Sequence, residues 1–433
     1  MQTIIRTLII LWLGIQSTSA QIVLRDAKDA PVPIAIQEFL SAADTPENKN
    51  QTTSVEAALT ANLIFSRIFR VIPAEAFLAP PVTSQLDVIQ VDPWKQIGAQ
   101  YVVRGRVTID GSQVNLEGFA FNILTGKLEI RKVYKARLRD AVQTAHMFGD
   151  DIVELVTGQK GLFSTKIAFV YVPPGKRFKE IWVADFNGRN ARPLVQNNRT
   201  NLSPTWSPDG KYIYYSSSSQ VDWHLWRTDL NGNSKQITRY KGSALGPVVM
   251  PNGKEIVISL SKDGNPDLYL IDLDGKEKKR LTTRRGININ PSPTADGSKL
   301  CFSSDRLGNL HIFSLDMATL ETERLTRLGT LNDSCTWHPF DNTILFSGMD
   351  TDREFDIFEM NDRGLDMVRR THDNRHNESP DFSPDGKLVV FNTRRAGRNQ
   401  VYVMRGDGTQ ASSLFELPGE STQPSWSPRL GYR

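Results

Sequence analysis

The residues of this 433-residue chain whose types suit chemistry are six histidines, two cysteines and a few acidic loops, and their spacing supports little of it. His146, His224, His311 and His338 stand apart from one another. His372 and His376 lie four apart in a polar stretch, a spacing that fits either a plain loop or a metal pair, and the loop is preferred. Asp350-Thr351-Asp352-Arg353-Glu354 begins like a calcium loop. Arg353 interrupts its ligand series and no Gly supplies the tight turn, so a solvated acidic loop is the better reading. Cys301 and Cys335 are too few for a disulfide scaffold; two buried thiols are favoured over a bridge. No Gly-x-Ser-x-Gly elbow, Walker A sequence or His-Glu-x-x-His occurs. The sequence therefore assigns no catalytic residue, no metal and no cofactor.

The elements that could position a site come from a repeat. Pro204-Thr205-Trp206-Ser207-Pro208-Asp209-Gly210-Lys211 returns as Pro380-Asp381-Phe382-Ser383-Pro384-Asp385-Gly386-Lys387, with weaker copies starting at Pro247, Pro291, Cys335 and Pro424. The spacings are 43, 44, 44, 45 and 44. Trp182, Trp226, Tyr269, Phe313, Phe358 and Tyr402 keep the same period, each after an apolar residue. Ser-Pro-Asp-Gly suits a type I turn. A β-rich run follows, then a polar loop, the aromatic strand, a second turn and a short closing strand. Four short strands per repeat describe a propeller blade, here lettered A to D from the channel outward. The Pro-Asp-Gly turns and β-branched runs exclude a helical repeat of that period. The first B–C–D set precedes the first A strand, and the last A strand has no B–C–D set after it. The predicted fold is thus a six-bladed β-propeller whose C-terminal strand completes the first blade.

Residues 1–20 read as a secretory signal peptide: Arg6, an apolar run over residues 8–15 that is too short to span a bilayer, and Thr18-Ser19-Ala20. The mature chain would begin near Gln21, with no later transmembrane segment. Residues 21–160 lack the repeat and read as an α/β domain, with strands at 34–39, 99–107, 113–122 and 127–135 and helices at 56–69 and 139–157. Leu59, Leu63, Ile64 and Ile68 would share one helical face, 46–53 would be a polar loop, and 158–161 a hinge into the propeller at 161–433. A formal charge of +4 with mixed signs and no basic tract argues against a nucleic-acid binder.

In a propeller the D–A and B–C loops share one face, and the D–A loops rim the channel mouth. The candidate partner-binding residues there are Asn201, Ser203, Ser243, Gly246, Asn288, Asn290, Asn332, Asp333, Asn377 and Glu378. Asn201, Asn288, Asn332 and Asn377 stand three before the anchor position in four blades. Two readings of them are open: capping of their own loops, and a ring of adaptable donors and acceptors around the mouth.

The exported α/β domain, the Pro-x-(Trp/Phe)-Ser-Pro-Asp-Gly repeats, the junction Leu155-Val156-Thr157-Gly158-Gln159-Lys160-Gly161-Leu162-Phe163-Ser164-Thr165-Lys166-Ile167-Ala168, Ala145-His146 with Asp150-Asp151, and the ending Pro424-Ser425-Trp426-Ser427-Pro428 together resemble the TolB family of the Tol–Pal system. The repeats depart from the pattern at Pro293-Thr294-Ala295-Asp296 and Trp337-His338-Pro339-Phe340. The resemblance implies a non-enzymatic periplasmic interaction protein that binds the lipoprotein Pal at the propeller mouth. It also implies that the mature N-terminus engages the C-terminal domain of TolA, supporting outer-membrane integrity and constriction at division. On that reading Gln21, Ile22, Val23, Leu24, Arg25 and Asp26 meet TolA; the alternation of residues 21–24 suits strand addition to a partner sheet, or an edge strand of its own domain. The competing class is a periplasmic propeller with a small-molecule or metal-dependent binding or hydrolytic role in its channel.

Overall fold

A computed structural model describes residues 30–81, 85–283, 286–350, 354–373 and 375–432. The expected signal segment, residues 21–26, and three residues of the acidic loop (351–353) lie outside the described residues.

The first unit is a sheet covered by helices. Strands β1 (Val32–Ile36), β2 (Leu40–Ser41), β3 (Phe69–Ile72), β4 (Tyr101–Asp110), β5 (Gln113–Asn122) and β6 (Lys127–Arg137) form it, with the order β3-β1-β4-β5-β6 and β2 beside β4. β1 runs parallel to both its neighbours; β4, β5 and β6 are antiparallel. Helices α1 (Pro46–Phe65) and α3 (Val142–Thr157) cover one face, burying Val55, Leu59, Leu63, Phe148 and Ile152 against Val103, Val107 and Leu116. α3 crosses at Gly118, where a Cβ would sit 2.8 Å from the Phe148 ring. It ends at Gly158, whose φ of 73° lets the chain turn out and donate to the Glu154 carbonyl. On the other face the short α2 (Asp92–Gln96) seats the buried Trp94 with Phe119 and Phe121.

Two expectations need correction here. Residues 46–53 are not a loop but the first two turns of α1. Thr45 caps the helix by accepting from the Asn48 N–H at 3.3 Å, Pro46 follows the cap, and Glu47 complements the helix dipole. The helix also stops early, at Arg67 with φ 57°, because Phe69–Ile72 leaves to pair with β1. The core face is then Val55, Ala58, Leu59 and Leu63, while Ile64 is exposed.

The second unit is the predicted ring. Six four-stranded antiparallel sheets follow. Blade 1 joins Glu420–Trp426 as strand A to Lys166–Val172, Glu180–Asp185 and Arg192–Val195 as B, C and D. The A strands of blades 2 to 6 are Asn201–Trp206, Ala244–Val249, Asn288–Pro293, Leu331–Trp337 and Glu378–Phe382. The A–B turns of blades 2 and 6 are built alike: the Ser207 hydroxyl donates to Asp209 at 2.7 Å and the Gly210 N–H to the Ser207 carbonyl at 2.8 Å, and Ser383, Asp385 and Gly386 repeat both bonds. In the divergent copy Thr294 takes the role of Ser207, donating to Asp296 at 2.6 Å, so the turn survives its altered sequence.

Cys301 (strand B of blade 4) and Cys335 (strand A of blade 5) form a disulfide across the blade boundary, where free thiols were expected. The preference for thiols came from the scarcity of cysteine. The ring brings the two Cα atoms to 6.3 Å, which is bridging distance.

The α/β unit sits on the face of the A–B and C–D turns. Phe186, in the C–D turn of blade 1, packs against Phe65, Phe163 and His146. Arg67 donates to the Val403 carbonyl and Ser412 of blade 6, and Arg405 to the Arg67 carbonyl. The C-terminal tail returns to the linker: Arg429 donates to the Gly161 carbonyl at 2.8 Å, and Tyr432 to Asp150 at 2.5 Å. Burial raises the Asp150 carboxyl to about 6 and lowers His146 to about 4. The opposite face, with the D–A and B–C loops, is left free by this unit.

Candidate functional site at the propeller mouth

Each A strand enters the channel through a kink. The register to strand B slips at Leu202/Thr205 and at the same place in the other five blades. The residue at the kink is left-handed in all six: Ser203, Gly246, Asn290, Ser334, Ser379 and Gln423, with φ between 50° and 57°. Five of these positions hold a residue with a Cβ, in a conformation that favours glycine, so the kink is strained and held by its surroundings. Small polar side chains there ring the neck of the channel. The ring is knit by hydrogen bonds: the Ser203 N–H donates to Gln423 at 2.9 Å, the Gln423 N–H to Asn392 at 3.1 Å, and the Ser379 N–H to the Ser347 hydroxyl at 2.9 Å.

Beside the neck lies a cavity of about 270 Å³ lined by Lys179, Asn290, Asp333, Phe355, Glu378 and Gln423, among others. Asp333 is held through its Oδ1, which accepts from Asn290 at 2.8 Å, Ser303 at 2.6 Å and the Ser334 N–H at 2.7 Å. Glu378 has one long contact, from Asn392 at 3.5 Å. Burial raises its carboxyl above the usual range, with His376 acting in the opposite sense. His376 lies beside the Phe355 ring at 6.5 Å. The mouth offers acceptors, a lysine and an aromatic edge. This inventory suits recognition of another surface.

The ten mouth residues named from sequence divide sharply. Ser203, Gly246 and Asn290 stand in the neck, and Asp333 and Glu378 line the cavity. Ser243 is half-buried and anchors its loop through its N–H to the Ser261 hydroxyl at 2.8 Å. Asn201, Asn288, Asn332 and Asn377 are not a ring of exposed donors: all four are buried, at 0%, 0%, 2% and 0% exposure. They tie blade to blade. Asn288 donates to Asp267 of blade 3 at 2.9 Å, Asn377 to Asp356 of blade 5 at 2.9 Å, and Asn201 to the Lys179 carbonyl at 2.8 Å. Asn332 reaches His311 of blade 4 at 3.0 Å. Ser334, Ser379 and Gln423 were missed, although the position before each anchor Pro or Cys was already in phase six times.

An α/β module seated on one face of a ring closed by its own C-terminus, with a polar mouth open on the other face, defines a two-faced interaction protein. The profile of the TolB β-propeller domain matches residues 153–430, more than half of the chain, and that of the TolB amino-terminal domain matches residues 20–128. A Tol–Pal system protein TolB of Ruthia magnifica subsp. Calyptogena magnifica is 34% identical over 346 residues, 78% of this chain and 81% of that protein. With the Tol–Pal system protein TolB of Desulfosudis oleivorans the identity is 33% over 257 residues, 59% of this chain and 58% of that protein's length. The crystal structure of TolB from Acinetobacter baumannii superposes with a TM-score of 0.81 and 26% identity, covering 93% of this chain and 98% of that one. The chain belongs to the TolB family, a non-enzymatic family of the Tol–Pal envelope system. Among the described residues no helix is long and apolar enough to cross a membrane.

Proposed function

We propose that the protein is exported to the periplasm, loses its signal near Ala20, and there joins two envelope partners: Pal at the propeller mouth and the C-terminal domain of TolA through Gln21–Asp26. The role would be support of outer-membrane integrity and of envelope constriction at division. The observation that carries the reading is the polar mouth on the face that the α/β domain leaves free. Family membership supports a place in the Tol–Pal system, and the alternating residues 21–24 suit strand addition. If residues 21–26 exchange between a docked and a partner-bound state, the two sites are linked, and occupancy of one must change the affinity of the other.

The test is capture from envelope extract followed by calorimetry. The mature chain should retain a lipoprotein with a peptidoglycan-binding domain. Deleting residues 21–26 should weaken TolA binding and change Pal affinity. Capture of no such lipoprotein would reject the mouth assignment, and unchanged affinities after the deletion would reject the N-terminal one.

A further inference from the structure

The mouth face is not uniform. Three large apolar side chains stand in solvent on one side of it: Ile287 at 40%, Leu307 at 63% and Leu328 at 69% exposure. Ile287 lies in the loop entering blade 4, Leu307 in that blade's B–C loop, and Leu328 in the loop leaving it. Bonds from main-chain N–H groups to side-chain and carbonyl oxygens hold these loops. The Ile287 N–H donates to Asp305 at 2.6 Å, the Gly308 N–H to the Asp305 carbonyl at 2.8 Å, and the Asn332 N–H to the Leu310 carbonyl at 2.8 Å.

Local structure does not require apolar residues here. The turn that holds Leu307 recurs in blades 3 and 6, closed in each by a Gly N–H onto the carbonyl three residues back; the place of Leu307 is taken there by Asp263 and Ala396. Leu328 stands four before Asn332, where blades 2 and 6 carry Asn197 and Asp373, whose side chains bond Asn201 and Asn377. In the loop that leads from blade 4 into blade 5 the Leu328 carbonyl makes that bond instead, at 3.0 Å, and the leucine side chain is left outside. Exposed apolar groups that the fold does not need, grouped on rigid loops beside a concave mouth, mark a contact surface.

Resting on the reading of the mouth as the Pal site, we infer that Ile287, Leu307 and Leu328 form its apolar anchor, so that the partner docks off-centre over blade 4. The occupant is the folded periplasmic domain of that lipoprotein, presenting an apolar protrusion. Three residues on from Ile287, Asn290 donates to Asp333 at 2.8 Å, and both line the cavity beside the neck. The chain's own α/β domain occupies the opposite face and does not cover it. Exposed Arg327, next to Leu328, favours a carboxylate at the partner's rim.

The experiment is calorimetric titration of Pal's periplasmic domain into the full mature chain, wild type and three variants, with melting temperatures measured alongside. Leu307→Asp with Leu328→Asp should weaken binding at least about tenfold, since burying each leucine is worth roughly tenfold or more. Leu307→Ser with Leu328→Ser should act in the same direction, and neither should shift the melt. Val221→Asp, on the same face in blade 2 and 88% exposed, should leave affinity within about twofold. Wild-type affinity in the Leu307/Leu328 variants overturns the anchor and leaves the mouth reading standing. An equal loss in Val221→Asp overturns the assignment to blade 4. A wild-type chain that does not bind Pal overturns both.

Discussion

Ring closure by the chain's own end makes a sharp prediction at Trp426. The indole is 6% exposed, donates to the Thr165 hydroxyl at 2.9 Å, and sits where the last strand pairs with the first propeller strand at Ile167. Trp426→Ala removes a buried indole and leaves Thr165 without that donor, a loss of about 3–5 kcal/mol from the indole and about 1 kcal/mol from the bond. Total stabilities run to about 5–15 kcal/mol, so this is a large share. At roughly 2–4 °C per kcal/mol for a unit of this size, the melt should fall by on the order of 10 °C. The comparison is Trp206→Ala, the same place in blade 2, also 6% exposed, with its indole donating to the Ser425 carbonyl at 3.1 Å. Near-UV circular dichroism against temperature reads both. If the last strand closes the ring, the two variants lower one cooperative transition by similar amounts. If it is an appendage, Trp206→Ala lowers the melt and Trp426→Ala leaves it in place, and the closure argument is refuted.

Two further outcomes follow from single groups. Asp381 lies on the channel strand of blade 6, accepting from the Trp426 N–H at 2.7 Å, and burial raises its carboxyl to about 7 from an ordinary 3.8. The folded state therefore holds the proton more tightly than the unfolded state. Stability should be highest below about pH 4 on this account and fall as pH rises toward 7. About three pH units at 1.36 kcal/mol each set a ceiling near 4 kcal/mol, and because the residue is only half-buried roughly half of that is expected. Asp381→Asn should melt several degrees above wild type at pH 8 and converge with it near pH 4; parallel curves would remove Asp381 as the cause. The Cys301–Cys335 bridge closes a separation of 34 residues, which the chain-entropy estimate values at about 4 kcal/mol. Reductant should lower the melt, and alkylation of the unreduced, unfolded chain should find no free thiol. Two labelled cysteines would contradict the bridge.

Turn chemistry and period carried most of the fold in the sequence. Ser-Pro-Asp-Gly fixes the A–B turn through one hydroxyl and one left-handed glycine, so the two copies that keep it, at 207–210 and 383–386, announce their own geometry. The helix start at Thr45-Pro46-Glu47 is equally local, but residues 46–53 carry no apolar stripe, so hydrophobic periodicity alone begins the helix at Glu56 and leaves those turns as a loop. The mouth was legible as a place and not as residues. An asparagine in a loop carries no mark of burial; only the neighbouring blade, with Asp267 or Asp356 waiting for it, decides that it faces inward. The apolar patch is likewise visible only once Ile287, Leu307 and Leu328, scattered over some forty residues, meet on one face.

The closing strand also bears on how the two faces could communicate. Most boundaries between blades are filled by hydrophobic clusters of their own, whereas the layer between blades 1 and 6 runs without a break into the core under α1 and α3. The strand Glu420–Trp426 passes through that layer. Its Gln423 stands in the neck of the mouth and holds the Ser203 N–H; three residues on, about 10 Å along the strand, Trp426 reaches Thr165. The tail beyond it grips the linker at Gly161 and α3 at Asp150. One strand thus has one end among the groups a mouth partner would touch and the other among those that seat the α/β domain. A shift of that strand would be felt on both faces, whereas a shift in the A strand of blade 3 or 4 would meet only its neighbouring blades. If occupancy of the mouth changes the affinity of the N-terminal site, substitution of Gln423 should alter that coupling more than substitution of Asn290, its counterpart in blade 4.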